Sequence, residues 1–239
     1  VWPDGGRYEG QFVADRAEGG GIFRHPEGDC YQGNWQDDRA HGEGKFTHAD
    51  GAYYVGQWID DRQHGEGREF WPDGTEYRGQ YRDGMKFGAG RFSWPNGCSF
   101  EGEFKDNSIH GRGVYVWDDG RKYVGEWAAN QMHGYGVFTW SDGRCYEGAY
   151  EEDQKNGFGT FRWPDGREYS GQWLDGKQHG YARFTTAGEC RSGVWEDGVR
   201  VRWDDSANAL VTAAAAAAQA ARRGHGISEL SGMGETMEF

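Results

Sequence analysis

The sequence predicts an all-β fold: an elongated antiparallel β-hairpin solenoid of 23-residue repeats, followed by one C-terminal Ala-rich α-helix. The first observation behind this prediction is a fixed period, which is typical of stacked repeats. The second is the composition, because 42 Gly residues and 16% aromatic residues indicate a core of rings packed over glycine. Aromatic-x-Gly-x-aromatic segments recur every 23 residues and begin at Tyr8, Tyr31, Tyr54, Tyr77, Phe100, Tyr123, Tyr146 and Tyr169.

Each repeat has the pattern of a β-hairpin. In the first strand of one repeat, Tyr31, Gly33 and Trp35 alternate with polar residues, which is the period of two expected when one side of a strand packs. The second strand places Gly42 and Gly44 on one face. Since Gly weakens a strand unless another group approaches its backbone closely, we expect aromatic rings to lie over these glycines.

Turns of the type Trp71-Pro72-Asp73-Gly74 connect one hairpin to the next. In such a turn Pro presets φ, Asp caps the turn and Gly accepts a positive φ, so no helix is expected between hairpins. The predicted solenoid covers residues 1–203, with eight full units and a partial unit at each end. Because Val1 falls inside what reads as an earlier unit, we expect this chain to be part of a longer protein.

The period stops after Trp203, where the composition changes. Residues 204–223 predict one helix, since acidic and Ser residues at its start are followed by a nearly uninterrupted Ala run and then by Arg222 and Arg223. Residues 224–239 have the pattern of a flexible tail. The tail is either a disordered end or a segment that docks on its own solenoid or on another chain, with four apolar anchors: Leu230, Met233, Met237 and Phe239.

The pattern Tyr-x-Gly-x-Trp, then His-Gly-x-Gly, then a Trp-Pro-Asp-Gly turn resembles the membrane occupation and recognition nexus (MORN) repeat family. The resemblance covers residues 1–203. It implies a twisted antiparallel β solenoid, usually with an aromatic-lined groove. Members include cytoskeletal and ciliary scaffolds, membrane-junction proteins, and regulatory segments of some phosphoinositide kinases and of a lysine methyltransferase. The repeat itself offers no catalytic residues to transfer.

No catalytic motif is present in the sequence, which has no phosphate-binding loop, nucleophile elbow, His-Glu-x-x-His or Cys-x-x-Cys. We therefore predict a protein that is not an enzyme and has no cofactor and no metal site. Five histidines share one slot of the repeat: His41, His64, His110, His133 and His179. Stacked equivalents should lie about 9–10 Å apart, too far to share an ion, so a role in closing the turn is favoured over metal binding or pH sensing.

The charge of the chain restricts its partners. A formal net charge of −13 opposes nucleic acid binding, which needs clustered Lys and Arg. Direct lipid binding is not expected either, because no polybasic segment is present. Loop acids such as Asp37, Asp38, Asp60 and Asp61 should form an edge, either as solvated charge or as a docking rim for a basic partner. Four dispersed cysteines indicate a cytoplasmic protein without intramolecular disulfides.

These observations predict a non-catalytic protein-interaction scaffold that belongs to a large complex, associated with the cytoskeleton in a cilium (axoneme) or at the cell cortex. Its partner would be a peptide or helix, possibly its own C-terminal segment. The alternatives are a regulatory segment of a larger enzyme, such as a phosphoinositide kinase, and a tether between membrane and cytoskeleton. The predicted contact surface is the aromatic face, unless its rings all pack internally over glycine: Tyr31, Trp35, Tyr54, Trp58, Tyr77, Tyr81, Tyr123, Trp127, Tyr146, Tyr169 and Trp173.

Overall fold

The computed structural model describes residues 5–224 and confirms the all-β hairpin prediction. Eighteen antiparallel strands follow one another along the chain, and helical structure begins only after the last strand. The chain divides into two compact units, Val1–Ser108 and Ile109–Phe239. We describe each unit by itself.

Unit 1 contains four hairpins and the first strand of a fifth. Its strands are β1 (Arg7–Val13), β2 (Arg16–Arg24), β3 (Cys30–Gln36), β4 (Arg39–Thr47), β5 (Tyr53–Ile59), β6 (Arg62–Phe70), β7 (Glu76–Arg82), β8 (Met85–Ser93) and β9 (Ser99–Lys105). Each of the strands β1 to β8 pairs with the strand that follows it, so this part of the chain meanders without crossovers.

Unit 2 continues the same pattern. Its strands are β10 (Ser108–Val116), β11 (Lys122–Ala128), β12 (Gln131–Thr139), β13 (Cys145–Glu151), β14 (Gln154–Arg162), β15 (Glu168–Leu174), β16 (Lys177–Thr186), β17 (Glu189–Glu196) and β18 (Val199–Trp203). A 3-10 turn (Asp205–Ala207) then leads into the helix α1 (Asn208–Gly224). The helix therefore begins four residues later than the sequence predicts, because 204–207 do not adopt α-helical geometry.

The strand register places residues of the same type opposite each other on neighbouring strands. In the hairpin β3–β4, Gly33 lies opposite Gly44 and Tyr31 opposite Phe46, with a bulge between Gly33 and Trp35. Directly paired residues of an antiparallel sheet project to the same side. The sheet therefore has an aromatic face, which carries the repeat Tyr, the paired glycines and the repeat Trp, and an opposite face, which carries the residues between them.

The tight turns explain why acidic residues recur in the loops. Asp37 and Asp38 have φ values of 50° and 66°, the two consecutive positive values of a type I′ hairpin turn. The Asp38 carboxylate accepts the backbone N–H of Ala17 at 2.7 Å, and the Asp61 carboxylate accepts that of Ala40 at 2.8 Å. Each of these carboxylates ties its turn to the preceding repeat.

Candidate protein-binding surface

The structure buries all eleven rings that the sequence assigns to partner contact. Their exposed fractions range from 0% for Tyr77 to 8% for Trp35. The prediction that these rings form the contact surface is therefore wrong, and the competing interpretation, internal packing over glycine, is the observed arrangement. The buried set comprises Tyr31, Trp35, Tyr54, Trp58, Tyr77, Tyr81, Tyr123, Trp127, Tyr146, Tyr169 and Trp173.

The packing of Tyr31 shows how one open sheet buries these rings. The ring lies over Gly44, where an added Cβ would come within 2.5 Å of Tyr31 Cζ. The Tyr31 hydroxyl donates a hydrogen bond to the carbonyl of Asn34 at 3.0 Å. Trp35 and Trp58, from its own repeat and the next, meet the ring edge to face at centroid distances of 5.2 Å. Trp58 Nε1 in turn donates to the carbonyl of Gly44 at 3.1 Å.

A second row of rings, at the turn end of the aromatic face, keeps part of its surface exposed in unit 2. We call this row the aromatic ladder. Its tryptophans come from the turns that connect hairpins, and sequence reasoning treated these turns only as chain reversals. The recurrence of Trp in the same turn position was the signal that could have revealed them. The ladder comprises Tyr115, Trp117, Phe138, Trp140, Phe161, Trp163 and Phe184.

The ladder is continuous. Successive ring centroids are separated by 4.4, 5.1, 4.4, 5.4, 4.5 and 6.2 Å. Phe138 and Phe161 are 7% and 8% exposed, whereas the other five rings are half-buried. In unit 1 the same positions are interrupted, since His25 and His48 replace turn tryptophans and Glu69 replaces a Phe.

An arginine in each turn holds the ladder tryptophan in place. In one turn the Arg144 guanidinium lies 5.4 Å from the Trp140 ring centroid, and its Nε donates to Asp142 at 2.7 Å. The next turn repeats this geometry with Arg167, Trp163 and Asp165. Hydrogen bonds from the Arg167 backbone and side chain lower the pKa of Asp165, which keeps this carboxylate ionised. The tryptophans are thus oriented before any partner binds.

Lys155, on β14, lies among the rings beneath the ladder. Its Nζ is 5.5 Å from the centroid of Trp140, 5.4 Å from that of Tyr146 and 5.3 Å from that of Trp173. Burial, and secondarily the nearby charge of Arg144, lowers the pKa of Lys155. Within residues 5–224, no carboxylate forms an ion pair with this ammonium group.

The equivalent lysine of unit 1, 69 residues earlier, has such a partner. Lys86 Nζ lies 2.6 Å from the Glu69 carboxylate, which also accepts a hydrogen bond from the Tyr81 hydroxyl at 3.1 Å. In unit 2, Phe138 stands at the position that corresponds to Glu69, and Tyr150 at that of Tyr81.

The helix α1 packs on the opposite face of unit 2, against β14, β15 and β16. Val211 is its buried anchor at 2% exposure, and Ala214 and Ala217 line a groove together with Tyr135 and Phe158. The C-terminal helix therefore covers the face that carries no ladder. The proposed tail anchors Leu230, Met233, Met237 and Phe239 lie outside the described residues.

A family model for the MORN repeat matches residues 8–30, 31–53, 54–76, 77–99, 100–120, 123–143, 146–166 and 169–191. The chain belongs to the MORN repeat family. The matched segments begin at the same aromatic residues that set the 23-residue period, so the sequence resemblance is confirmed.

Solved structures similar to this MORN protein include domains of SAS-4 and CPAP. The TCP domain of Drosophila melanogaster SAS-4 (dCPAP), in complex with a proline-rich motif of Ana2 (dSTIL), is 11% identical with a TM-score of 0.43, covering 72% of this chain and 94% of that one. The CPAP G-box domain is 14% identical with a TM-score of 0.45, covering 78% and 98%. These likenesses are too low to carry a functional argument. No curated protein sequence matches the chain.

In the part of the chain that the structure describes, no group of three or more His, Cys, Asp or Glu is placed to hold a metal ion. The Nδ1 atoms of His41, His64 and His179 are buried without a hydrogen-bond partner. A search of the described residues also finds no helix that is long and apolar enough to cross a membrane.

Proposed function

We propose that this MORN protein is a non-catalytic protein-interaction scaffold that binds an extended peptide along the aromatic ladder of unit 2. The observation that carries the proposal is the continuous ladder of rings in which Trp117, Trp140 and Trp163 are each half-buried. Trp and Tyr are enriched at interface hot spots because they bury a large rigid surface at low entropic cost. The surface differs from the originally predicted one, whose rings are already packed.

The periodicity of the ladder favours an extended partner. The turn tryptophans recur once per repeat, at each successive hairpin connection, so neighbouring tryptophans are about two strand spacings, or roughly 9–10 Å, apart. An extended peptide covers that distance in about three residues, at about 3.3 Å per residue, so a short segment spans several ladder rings. The gaps between rings are shared by neighbouring repeats, so binding would depend on several repeats at once.

The place of this scaffold in the cell follows the family resemblance. We propose a cytoplasmic component of a large cytoskeletal assembly, in a cilium (axoneme) or at the cell cortex, that binds neither nucleic acid nor lipid directly. The scarcity of clustered Lys and Arg supports the second part of this proposal. Fractionation of detergent-extracted cells that express the tagged protein tests the first part, and flotation with phosphatidylserine vesicles at physiological salt tests the second.

Peptide display tests the binding function. Random 16-residue peptides are panned against the protein, and selected peptides are synthesised with acetylated N-termini and amidated C-termini. Trp140→Ala should weaken binding by roughly 30-fold, the loss expected of a hot-spot aromatic residue. Leu174→Ala removes an apolar side chain that is 43% exposed and lies outside the ladder, so it should leave binding unchanged.

The comparison of the two variants is decisive if both fold like the parent protein. Circular dichroism and hydrogen exchange should match between the two variants and the parent protein. If no peptide depends on Trp140, or if both substitutions weaken binding equally, the ladder is not the binding surface.

A further inference from the structure

In unit 1, Lys86 forms an ion pair with Glu69, a carboxylate of the same chain. The Glu69 carboxylate lies in a site made of an ammonium group, a tyrosine hydroxyl and aromatic walls: its Oε2 contacts Lys86 Nζ at 2.6 Å and Tyr81 Oη at 3.1 Å. Lys86 Nζ also lies 5.1 Å from the Trp71 ring centroid and 5.0 Å from that of Tyr77. Both side chains of the ion pair are largely buried, at 14% and 21% side-chain exposure.

Unit 2 repeats this site without its carboxylate. Lys155, Tyr150, Tyr146 and Trp140 occupy the positions that correspond to Lys86, Tyr81, Tyr77 and Trp71. The position of Glu69 is taken by Phe138, which cannot accept a hydrogen bond. Among the described residues, neither Lys155 nor the Tyr150 hydroxyl has a hydrogen-bond or ion-pair partner.

An ammonium group in this position is costly to leave unpaired. Burial opposes its charged form, and the rings around it offset only part of that cost through cation–π attraction. A carboxylate would satisfy the ammonium, and Lys155 is half-buried, so part of its side chain remains accessible to solvent.

We propose that Lys155 binds an Asp or Glu side chain of the partner peptide, and that this carboxylate takes the part that Glu69 plays within unit 1. The proposal rests on the binding function assigned to the ladder and adds the chemistry of the partner: an acidic residue flanked by apolar residues that contact Trp140 and its neighbours. We infer a carboxylate and not a phosphate group, because the group that binds Lys86 in unit 1 is the carboxylate of Glu69.

The test uses the peptides selected by display, whose capped termini leave side chains as their only carboxylates. Peptides that bind should contain an Asp or Glu, and replacing it by Asn or Gln should weaken binding by about tenfold to a hundredfold, as expected for hydrogen bonds to a charged group. Lys155→Met should cause the same loss and remove the preference for the acidic peptide. Lys177→Met, which removes a side chain that is 61% exposed, should have no effect.

A double-mutant cycle separates this proposal from the binding function itself. If Lys155 contacts the carboxylate, the effects of Lys155→Met and of the acid-to-amide change are strongly non-additive. Additive effects overturn the carboxylate site. Selected peptides that depend on Trp140 but bind equally well without an Asp or Glu also overturn it, and in both cases the ladder remains the binding surface. If no peptide depends on Trp140, the binding function fails instead.

A direct measurement of the lysine is independent of affinity. In the parent protein, the pKa of the Lys155 ammonium measured by NMR should rise when the acidic peptide binds, because a neighbouring carboxylate favours the charged form. An unchanged pKa on saturation with the peptide contradicts the proposal.

Discussion

Replacing Gly44 by Ala tests the packing that buries the aromatic rings. An added Cβ would lie 2.5 Å from Tyr31 Cζ and 2.6 Å from Tyr31 Cε2, with the hydroxyl oxygen closer still, so the ring must move. Movement endangers two edge-to-face contacts, with Trp35 and Trp58, and the hydrogen bond to the Asn34 carbonyl.

The cost follows from these contacts. Each aromatic pair contributes about 0.5–1.5 kcal/mol beyond its buried area, and the hydrogen bond about 1 kcal/mol. Replacing a strand Gly by Ala returns about 0.5–1 kcal/mol of backbone entropy. Partial relaxation of the ring brings the expected net loss to about 2 kcal/mol, within the range of about 1–3 kcal/mol known for overpacked cores.

Gly20 provides the matched control, because it is a strand glycine of the same unit whose added Cβ would meet nothing within 4 Å. Gly20→Ala should be neutral or slightly stabilising. Hydrogen exchange resolved by repeat is the appropriate assay, since nearest-neighbour repeats need not unfold as one cooperative unit. Gly44→Ala should accelerate exchange by about 30-fold for 2 kcal/mol, chiefly in the hairpins β3–β4 and β5–β6. The reasoning is refuted if both variants behave alike, or if Gly44→Ala exchanges like the parent protein.

Two further perturbations address the tyrosine row and the helix. Burial raises the pKa of the repeat tyrosines, for example Tyr77, above the usual value of about 10, so the folded state holds these protons more tightly than the unfolded chain. Their contribution to stability is therefore present below about pH 10 and is lost as the pH rises further. Tyrosinate absorbance should increase together with the loss of circular dichroism. Ionisation of the tyrosines with intact circular dichroism would contradict this coupling. Val211→Asn should detach α1 and accelerate exchange of its amides at least tenfold, whereas Leu210→Asn, at a side chain that is 57% exposed, should leave α1 docked. Equal effects of the two substitutions would show that α1 is not held through Val211.

The sequence by itself determined the repeat and its local structure. The period of 23 residues, the alternation of Tyr, Gly and Trp, and the turn residues specify hairpins whose rings cross glycine, because each of these features acts within one repeat. The glycines opposite Tyr31 lie where the pattern predicts them, and the family assignment follows from the same offsets.

Only the tertiary structure decided which rings are covered. Tyr31 is closed from solvent partly by Trp58 of the following repeat, and that contact forms only when neighbouring hairpins pack together. A pattern within one repeat does not reveal how much of a ring its neighbouring repeats cover. For this reason the sequence predicts the buried rings as the contact surface and does not predict the turn tryptophans, such as Trp140.

The same reason applies to Lys155 and to α1. Lys86 and Lys155 occupy the same position of their repeats. Lys86 has a carboxylate partner and Lys155 does not, because the preceding repeat supplies Glu69 in unit 1 and Phe138 at the corresponding position in unit 2. The Ala-rich sequence predicts a helix, but packing of Val211 against the opposite face decides where it lies. Local periodicity fixes the elements of this protein, whereas contacts between repeats fix the charge partner and the exposed surface of each side chain.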